Sequence, residues 1–277
     1  MATMAGAGAA RADEAAVHYN QCLQLKRQSK TVEAIAECEQ AAKLRGDYAA
    51  AQFTLGNLWR AQGDYAKAAG YYETAVKLQP KDAPSHANLG AAYVRLKRID
   101  DGLRELEIAV TLKPDDYDTR VSTGFAYRQK GDLKKAIEHL AKATELKPDD
   151  VDGWRNLGVA KSKSDDKDGA IAAFNKGLAL KPNDADLHFG LAVVYRRQRK
   201  ADDAIAEYEV AITHDPKLAG AYYDLGVLYS QQRNTEKALA AFKQYLEVGI
   251  RDNPESRKDA EERIKAFESA PAGGKKK

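Results

Sequence analysis

Apolar and polar residues follow a helical rhythm along this chain. In the stretch "WRNLGVAK", Trp154, Leu157 and Gly158 stand at i, i+3 and i+4, the spacing of one helical face. The polar stretch "SKSDDKD" follows, and then Ala170, Phe174, Gly177 and Leu178 resume helical spacing until Pro182, whose ring cannot continue a helix. Two helices joined by a short polar turn predict an antiparallel hairpin. Small residues at Gly158, Ala170 and Gly177 let the two backbones approach, and the larger Trp154, Leu157 and Phe174 fill the space around them.

The whole pattern returns every 34 residues. Pro80, Pro114, Pro148, Pro182 and Pro216 fall in one column, and Gly56, Gly90, Gly124, Gly158 and Gly226 in another. Ala34, Ala68, Ala136, Ala170, Ala204 and Ala238 form a third, and Cys38, Tyr72, Leu106, Leu140, Phe174, Tyr208 and Phe242 a fourth. The phrase "LKPDD" at Leu112–Asp116 and Leu146–Asp150, with "LQPKD" from Leu78 and "LKPND" from Leu180, marks the joints: each proline ends one hairpin and the acidic turn leads into the next. A lone hairpin cannot bury its apolar face, so neighbours must stack. The expected fold class is all-α, an α-solenoid of stacked antiparallel helical hairpins.

These columns resemble the tetratricopeptide repeat, an aromatic, Leu-Gly, Tyr, then Ala, an aromatic and Pro; Tyr222, Leu225, Gly226, Tyr229, Ala238 and Phe242 carry most of it in one unit. Seven units are expected, at 15–48, 49–82, 83–116, 117–150, 151–184, 185–218 and 219–252. The resemblance implies a right-handed superhelix whose inside is lined by the first helix of each unit. The end units depart from the pattern, with Cys22 for the glycine and Gly46 for the proline in the first, and Tyr245 and Ile250 at the small and proline positions of the last. Residues 1–14 read as a disordered Ala/Gly-rich leader. Beyond the last unit, Asn253 as N-cap and Pro254 at the first helical position predict a capping helix over 253–268, with Ala260, Ile264 and Phe267 as its apolar stripe. Residues 269–277 read as a flexible basic tail.

Composition, 44% apolar and 31% charged with 8 prolines, fits a helical globular chain. The net charge of +3 is too balanced for a nucleic-acid binder. No apolar run reaches the roughly 18 residues a membrane helix needs, and Arg11, Asp13 and Glu14 interrupt any signal-like start. The chain therefore reads as cytoplasmic and without membrane insertion. Two cysteines, Cys22 and Cys38, suggest no disulfide framework.

No phosphate loop, dinucleotide fingerprint or zinc-protease helix is present, so no enzyme, cofactor or metal is expected. The stretch "SDDKDGAIAAFN" imitates a calcium loop, but Ser164 and Asn175 stand where acidic ligands belong. His18, Cys22 and, from the facing helix of the same hairpin, Cys38 form an imaginable soft-metal set, with a Cys22–Cys38 disulfide as a further minor alternative, yet His86 and His188 occupy the His18 column without nearby cysteines, which points to packing.

Each first helix keeps a second face free of its hairpin partner. Two of its columns are largely apolar: Tyr19, Phe53, Val121, Phe189 and Tyr223, and Leu23, Phe125, Val159, Val193 and Val227. Between them run Asn20, Thr54, Asn88, Ser122, Asn156, Gly190 and Asp224. A carboxamide both donates and accepts, so Asn20, Asn88 and Asn156 are suited to an extended backbone; the row resembles the asparagine ladder of O-linked N-acetylglucosamine transferases. Near the helix ends stand Lys26, Arg27, Arg60, Arg95, Arg128, Lys163, Arg196 and Arg197, which complement helix dipoles and also suit an acidic peptide. The chaperone-binding branch of the family holds a carboxylate with three basic residues and two asparagines. Asn57 and Asn88 match, but Phe53, Asp118 and Ser122 stand where the bases belong, which disfavours a co-chaperone role.

The expected function is a non-catalytic adaptor that holds an extended, partly acidic protein or peptide segment. Tyr19, Phe53, Phe125, Phe189 and Tyr223 would receive apolar side chains, Asn20, Asn57, Asn88 and Asn156 the backbone, and Arg60, Arg95, Arg128 and Arg196 acidic groups. The alternative is a self-assembling structural part that packs end to end or through its outer faces. A monomer with weak self-association is the expected state.

Overall fold

The computed structural model describes residues 2–249 and 253–269, and among them there are helices and no strand. The chain divides into two compact units, up to Leu146 and from Lys147 on. The first unit holds four helical hairpins: α1 (Ala2–Arg27) with α2 (Thr31–Leu44), α3 (Ala49–Ala61) with α4 (Tyr65–Leu78), α5 (Ala83–Arg95) with α6 (Ile99–Leu112), and α7 (Tyr117–Lys130) with α8 (Leu133–Leu146). The second holds three, α9 (Val151–Lys163) with α10 (Lys167–Leu180), α11 (Ala185–Arg197) with α12 (Ala201–His214), and α13 (Ala219–Gln231) with α14 (Thr235–Val248), followed by α15 (Pro254–Ser269) packed on α14. Within each unit every hairpin packs on the next, so each is an all-α repeat stack.

The repeated sequence columns account for this geometry locally. Asp82, Asp116, Asp150 and Asp184, each two residues past a joint proline, accept the N–H of the residue three further on and so cap α5, α7, α9 and α11. The acidic turn is therefore the start signal of the next first helix. From inside that helix one side chain reaches back to the joint carbonyl. Arg120 Nε donates to Pro114 O (2.9 Å) and Trp154 Nε1 to Pro148 O (2.8 Å), while the Nε2 atoms of His86 and His188 lie 3.1 and 2.9 Å from Pro80 O and Pro182 O. Three residue types thus fill one structural role at four successive joints.

Inside each hairpin the turn passes through the left-handed region at Ser29, Gly63, Lys97, Gly131, Asp165, Arg199 and Arg233, again 34 residues apart. Only two of these are glycine, so the other turns hold a strained backbone of the kind that costs about 1–2 kcal/mol per residue. Close helix approach explains the glycine column: a Cβ on Gly158 would stand 2.6 Å from Phe174 Cε1, and one on Gly226 2.6 Å from Phe242 Cε1. Leu55, Leu106, Leu140 and Phe242 are fully buried between helices, each stabilising by about 1.5–3 kcal/mol.

Two sequence expectations need revision. α1 runs from Ala2 through the stretch 2–14 read as a disordered leader, because alanine has the highest helix propensity and the packed part of α1 already supplies the nucleus. Cys22 and Cys38 are joined as a disulfide between α1 and α2, with Cα atoms 5.3 Å apart; the hairpin brings two core columns face to face, a proximity that a count of cysteines does not reveal. The imagined metal set is thereby dispersed, since His18 Nδ1 lies instead 2.6 Å from Glu37 Oε2. Ile250 and the tail from residue 270 lie outside the described residues, whereas Ala260 of α15 is fully buried.

Candidate functional site

In the first unit, α3, α5 and α7 present the predicted face around a cavity of about 430 Å³ lined by Arg60, Ala87, Asn88, Ala91 and Ser122, with Lys113, Asp116, Asp118 and Thr119 at its side. Its small residues leave the room and its polar ones set the chemistry. Asn57 organises one wall: its Oδ1 accepts from Tyr72 Oη (2.8 Å) and from Asn88 Nδ2 (3.3 Å). Burial pushes the Tyr72 phenol up to about 12, against the opposing pull of Arg60, so Tyr72 remains a donor at neutral pH. Asn57 thereby holds the Asn88 carboxamide through its Nδ2 at the edge of the cavity. Arg60 is exposed.

The other predicted residues of this unit are less open. Tyr19 is half-buried, its ring 4.9 Å from that of Tyr48 and its hydroxyl 3.2 Å from Thr54 Oγ1; the adjacent Asn20 is exposed. Phe53 is half-buried against Tyr72, ring centroids 5.9 Å apart. The Arg128 guanidinium lies 5.1 Å from the Phe125 ring centroid, so each covers the other, and burial lowers the Arg128 pKa. Arg95 leans away onto the Tyr65 ring at 5.0 Å.

In the second unit a cavity of about 360 Å³ opens between α9 and α11, lined by Val159, Phe174, Phe189 and Val193, with Arg155, Lys163, Asp186 and Arg197 around it. Phe189, a predicted residue, is half-buried with its ring 5.6 Å from Tyr208. Asn156 is half-buried and donates from Nδ2 to Asp152 O of its own helix (2.9 Å), which leaves its carbonyl for other contacts. Arg155 pairs with Asp152 and with Asp184 (2.9 Å). Burial works to lower its pKa, but Asp184 and Asp152 outweigh it and hold the value above the ordinary one.

Two predicted residues of this unit are engaged by the protein itself. Arg196 Nε lies 3.6 Å from Asp224 Oδ2, which also accepts from Tyr208 Oη (2.6 Å); burial raises the Asp224 pKa despite these partners. Tyr223 packs on Tyr245 at 5.2 Å and donates to Asp259 Oδ2 of α15 (2.9 Å), so the capping helix covers it. The structure thus brings Arg60, Asn57 and Asn88 together in one place and Phe189 into the other. Lys163 and Arg197, from the basic row, border the second cavity, while Phe174 and Ala87 complete the two cavities without having stood among the expected groove residues. The signal that could have found Phe174 is Gly190: a missing side chain there leaves room for the buried Phe174 ring to pack behind the inner face.

Sequence models described as tetratricopeptide repeat match residues 49–82, 124–165, 155–219 and 207–240, together more than half of the chain. The chain belongs to the tetratricopeptide repeat family. No curated protein matches it in sequence. Among solved structures, a tetratricopeptide repeat protein from Parabacteroides merdae superposes with a TM-score of 0.70 at 20% identity, over 92% of this chain and 99% of that one. MamA from Desulfovibrio magneticus RS-1, residues 41 to the end, gives 0.59 at 25% identity, over 61% and 96%. YrrB, described as having an unusual peptide-binding site, gives 0.58 at 20%, over 66% and 95%. The matches below a quarter identity show the fold alone. Tetratricopeptide repeats are in general protein-interaction modules, and the fold of this chain is that of such an interaction scaffold. Among the described residues no helix is long and apolar enough to cross a membrane.

Proposed function

We propose that this tetratricopeptide protein binds an extended segment of a partner protein along the first-helix faces of its units. The observation that carries the reading is that both cavities open on the predicted columns, one around Asn88 and Arg60, the other around Phe189, Val159 and Val193. A carboxamide beside small residues suits a peptide backbone, and an apolar recess suits its side chains. Many weak contacts on a rigid scaffold then add. YrrB, described as having an unusual peptide-binding site, offers a precedent for the fold.

The test is fluorescence anisotropy with a panel of short labelled peptides of mixed apolar and acidic composition. Asn88→Ala and Phe189→Ala should each weaken the best binder about fivefold or more, the order of a 1 kcal/mol interface contribution. Unchanged affinity in both variants rules the faces out.

The self-assembly reading loses one support, because Tyr245 is fully buried. A different feature supports it: Val17 and Val32 on the first hairpin are 67% and 74% exposed. Light scattering over a dilution series tests it, with a constant monomer mass ending it. The Cys22–Cys38 bond favours an oxidising environment over the expected cytoplasm, and the mass of the natively isolated protein under non-reducing conditions decides between them.

A further inference from the structure

The second unit's cavity has a more specific chemistry than its surroundings. At the position that carries Asn88, Ser122 and Asn156 in other repeats stands Gly190. The Phe174 ring lies between two glycines: a Cβ on Gly158 would meet its Cε1 at 2.6 Å, and one on Gly190 its Cζ at 2.6 Å. A core aromatic therefore forms the floor of a recess on the inner face, with Val159, Phe189 and Val193 as its walls. Its volume of about 360 Å³ falls in the range of about 300–1,000 Å³ typical of built ligand sites. Ser162 also lines the recess, its Oγ accepting from Arg197 Nη1 (3.3 Å).

The rim is charged but mostly self-balanced. Arg155 is held by Asp152 and Asp184, with Asp186 Oδ2 at 3.9 Å from its Nε. Arg197 pairs with Asp165 (3.1 Å) and donates to Ser162 O. Lys163 is exposed and, among the described residues, has no ion-pair partner. One uncompensated cation therefore stands beside one apolar recess, and an occupant that matches both carries an apolar group next to a single carboxylate. Charge also argues against the chain's own terminal Lys275, Lys276 and Lys277, which have the same sign as Lys163.

We propose that this recess is a specificity site that takes one bulky apolar side chain of an extended partner peptide, while Lys163 pairs with a carboxylate on the neighbouring peptide residue. The proposal rests on the peptide-binding reading above and sharpens it: a peptide with phenylalanine or leucine beside an acidic residue would be selected over one lacking either feature. Gly190 is the residue that makes the site, since any side chain there must displace the Phe174 ring.

The experiment uses fluorescein-labelled peptides in a glycine-serine frame: a parent with adjacent phenylalanine and glutamate, a sibling with alanine for the phenylalanine, and a sibling with lysine for the glutamate. Anisotropy with the full chain should show the alanine sibling binding at least tenfold more weakly and the lysine sibling about threefold more weakly. Lys163→Glu changes an exposed side chain, so the fold is kept, and it should reverse the preference between glutamate and lysine. Val193→Gln should remove the preference for phenylalanine, and circular dichroism melting checks that this variant is folded. Equal binding of the three peptides, no measurable binding of the parent, or an unreversed preference in Lys163→Glu overturns the proposal. So does a doubled mass of the native chain that Lys163→Glu restores to monomer, which would assign the recess to a second copy. If the Asn88→Ala variant still weakens the broader peptide panel, the peptide-binding reading survives such a failure and only the specificity site falls.

Discussion

The two units carry cavities of similar size on equivalent faces, and yet their chemistry is opposite. Around Asn88 the first unit shows carboxamide, hydroxyl and both signs of charge over a floor of alanines. Around Gly190 the second shows an aromatic and aliphatic recess with charge confined to its edge. The backbone plan is the same in both, since capped first helices lie beside one another at fixed spacing. One column accompanies the difference: Asn88 and Ser122 line the first cavity, whereas in the second that position is Gly190, with the buried Phe174 ring packed against it. A repeat scaffold can thus change what it recognises by deleting a side chain as well as by adding one.

The sharpest way to break this comparison is Phe174→Ala. The residue is both core and cavity floor, so its loss should cost about 3–5 kcal/mol, read as a lower urea midpoint, whereas Ser122→Ala in the first unit should change stability by less than about 0.5 kcal/mol. A small effect of Phe174→Ala would show that the recess is not built on the core. The disulfide gives the first unit a support that the second lacks. For a separation of 16 residues the chain-entropy account predicts about 3 kcal/mol, so Cys22→Ala with Cys38→Ala, or a reducing agent, should lower the first unit's melting and leave the second's in place, followed by hydrogen exchange.

Smaller effects test the shared joints and turns. Gly131→Ala should cost about 1–2 kcal/mol because its φ of 90° is left-handed. At the matching turn of the second unit, Arg199→Gly should gain a few tenths of a kcal/mol, strain relief being partly offset by glycine's chain entropy. The joint carboxylates should make both units acid-sensitive. Burial works to raise Asp116 and Asp184, but Lys113 and Thr119 in one case, and Lys181, Arg155 and the Leu187 N–H in the other, outweigh it and hold both below the ordinary carboxylate value. With the folded pKa lowered, their contribution is present above the ordinary value near about 4 and is lost as pH falls through the folded one. Asp116→Asn and Asp184→Asn should each flatten the acid limb of a stability profile, and an unchanged limb would show that these caps do not titrate with folding.

Much of this architecture can be read without coordinates. The period of 34, the glycine facing a bulky partner, the proline that stops a second helix and the aspartate that starts the next first helix are local signals, and the structure uses them as caps, stops and contacts. The site is legible in part. Asn57, Asn88 and Arg60 could be placed on one face by helical periodicity, and they meet there. Tyr223 could not be judged in the same way, because its covering residue, Asp259, comes from α15. Arg196 and Arg128 looked equivalent in sequence, yet one is neutralised by Asp224 and the other lies over Phe125.

The sequence by itself determined the helices, their joints and the hairpin as the repeating part, because capping, proline stops and the 3.6-residue rhythm act over a few neighbouring residues. Only the tertiary structure decided that Cys22 is bonded to Cys38, that the Phe174 ring packs against Gly190, and which cations keep their charge free. Those outcomes depend on side chains from helices far apart in the chain, whose distances and shared partners no local pattern encodes.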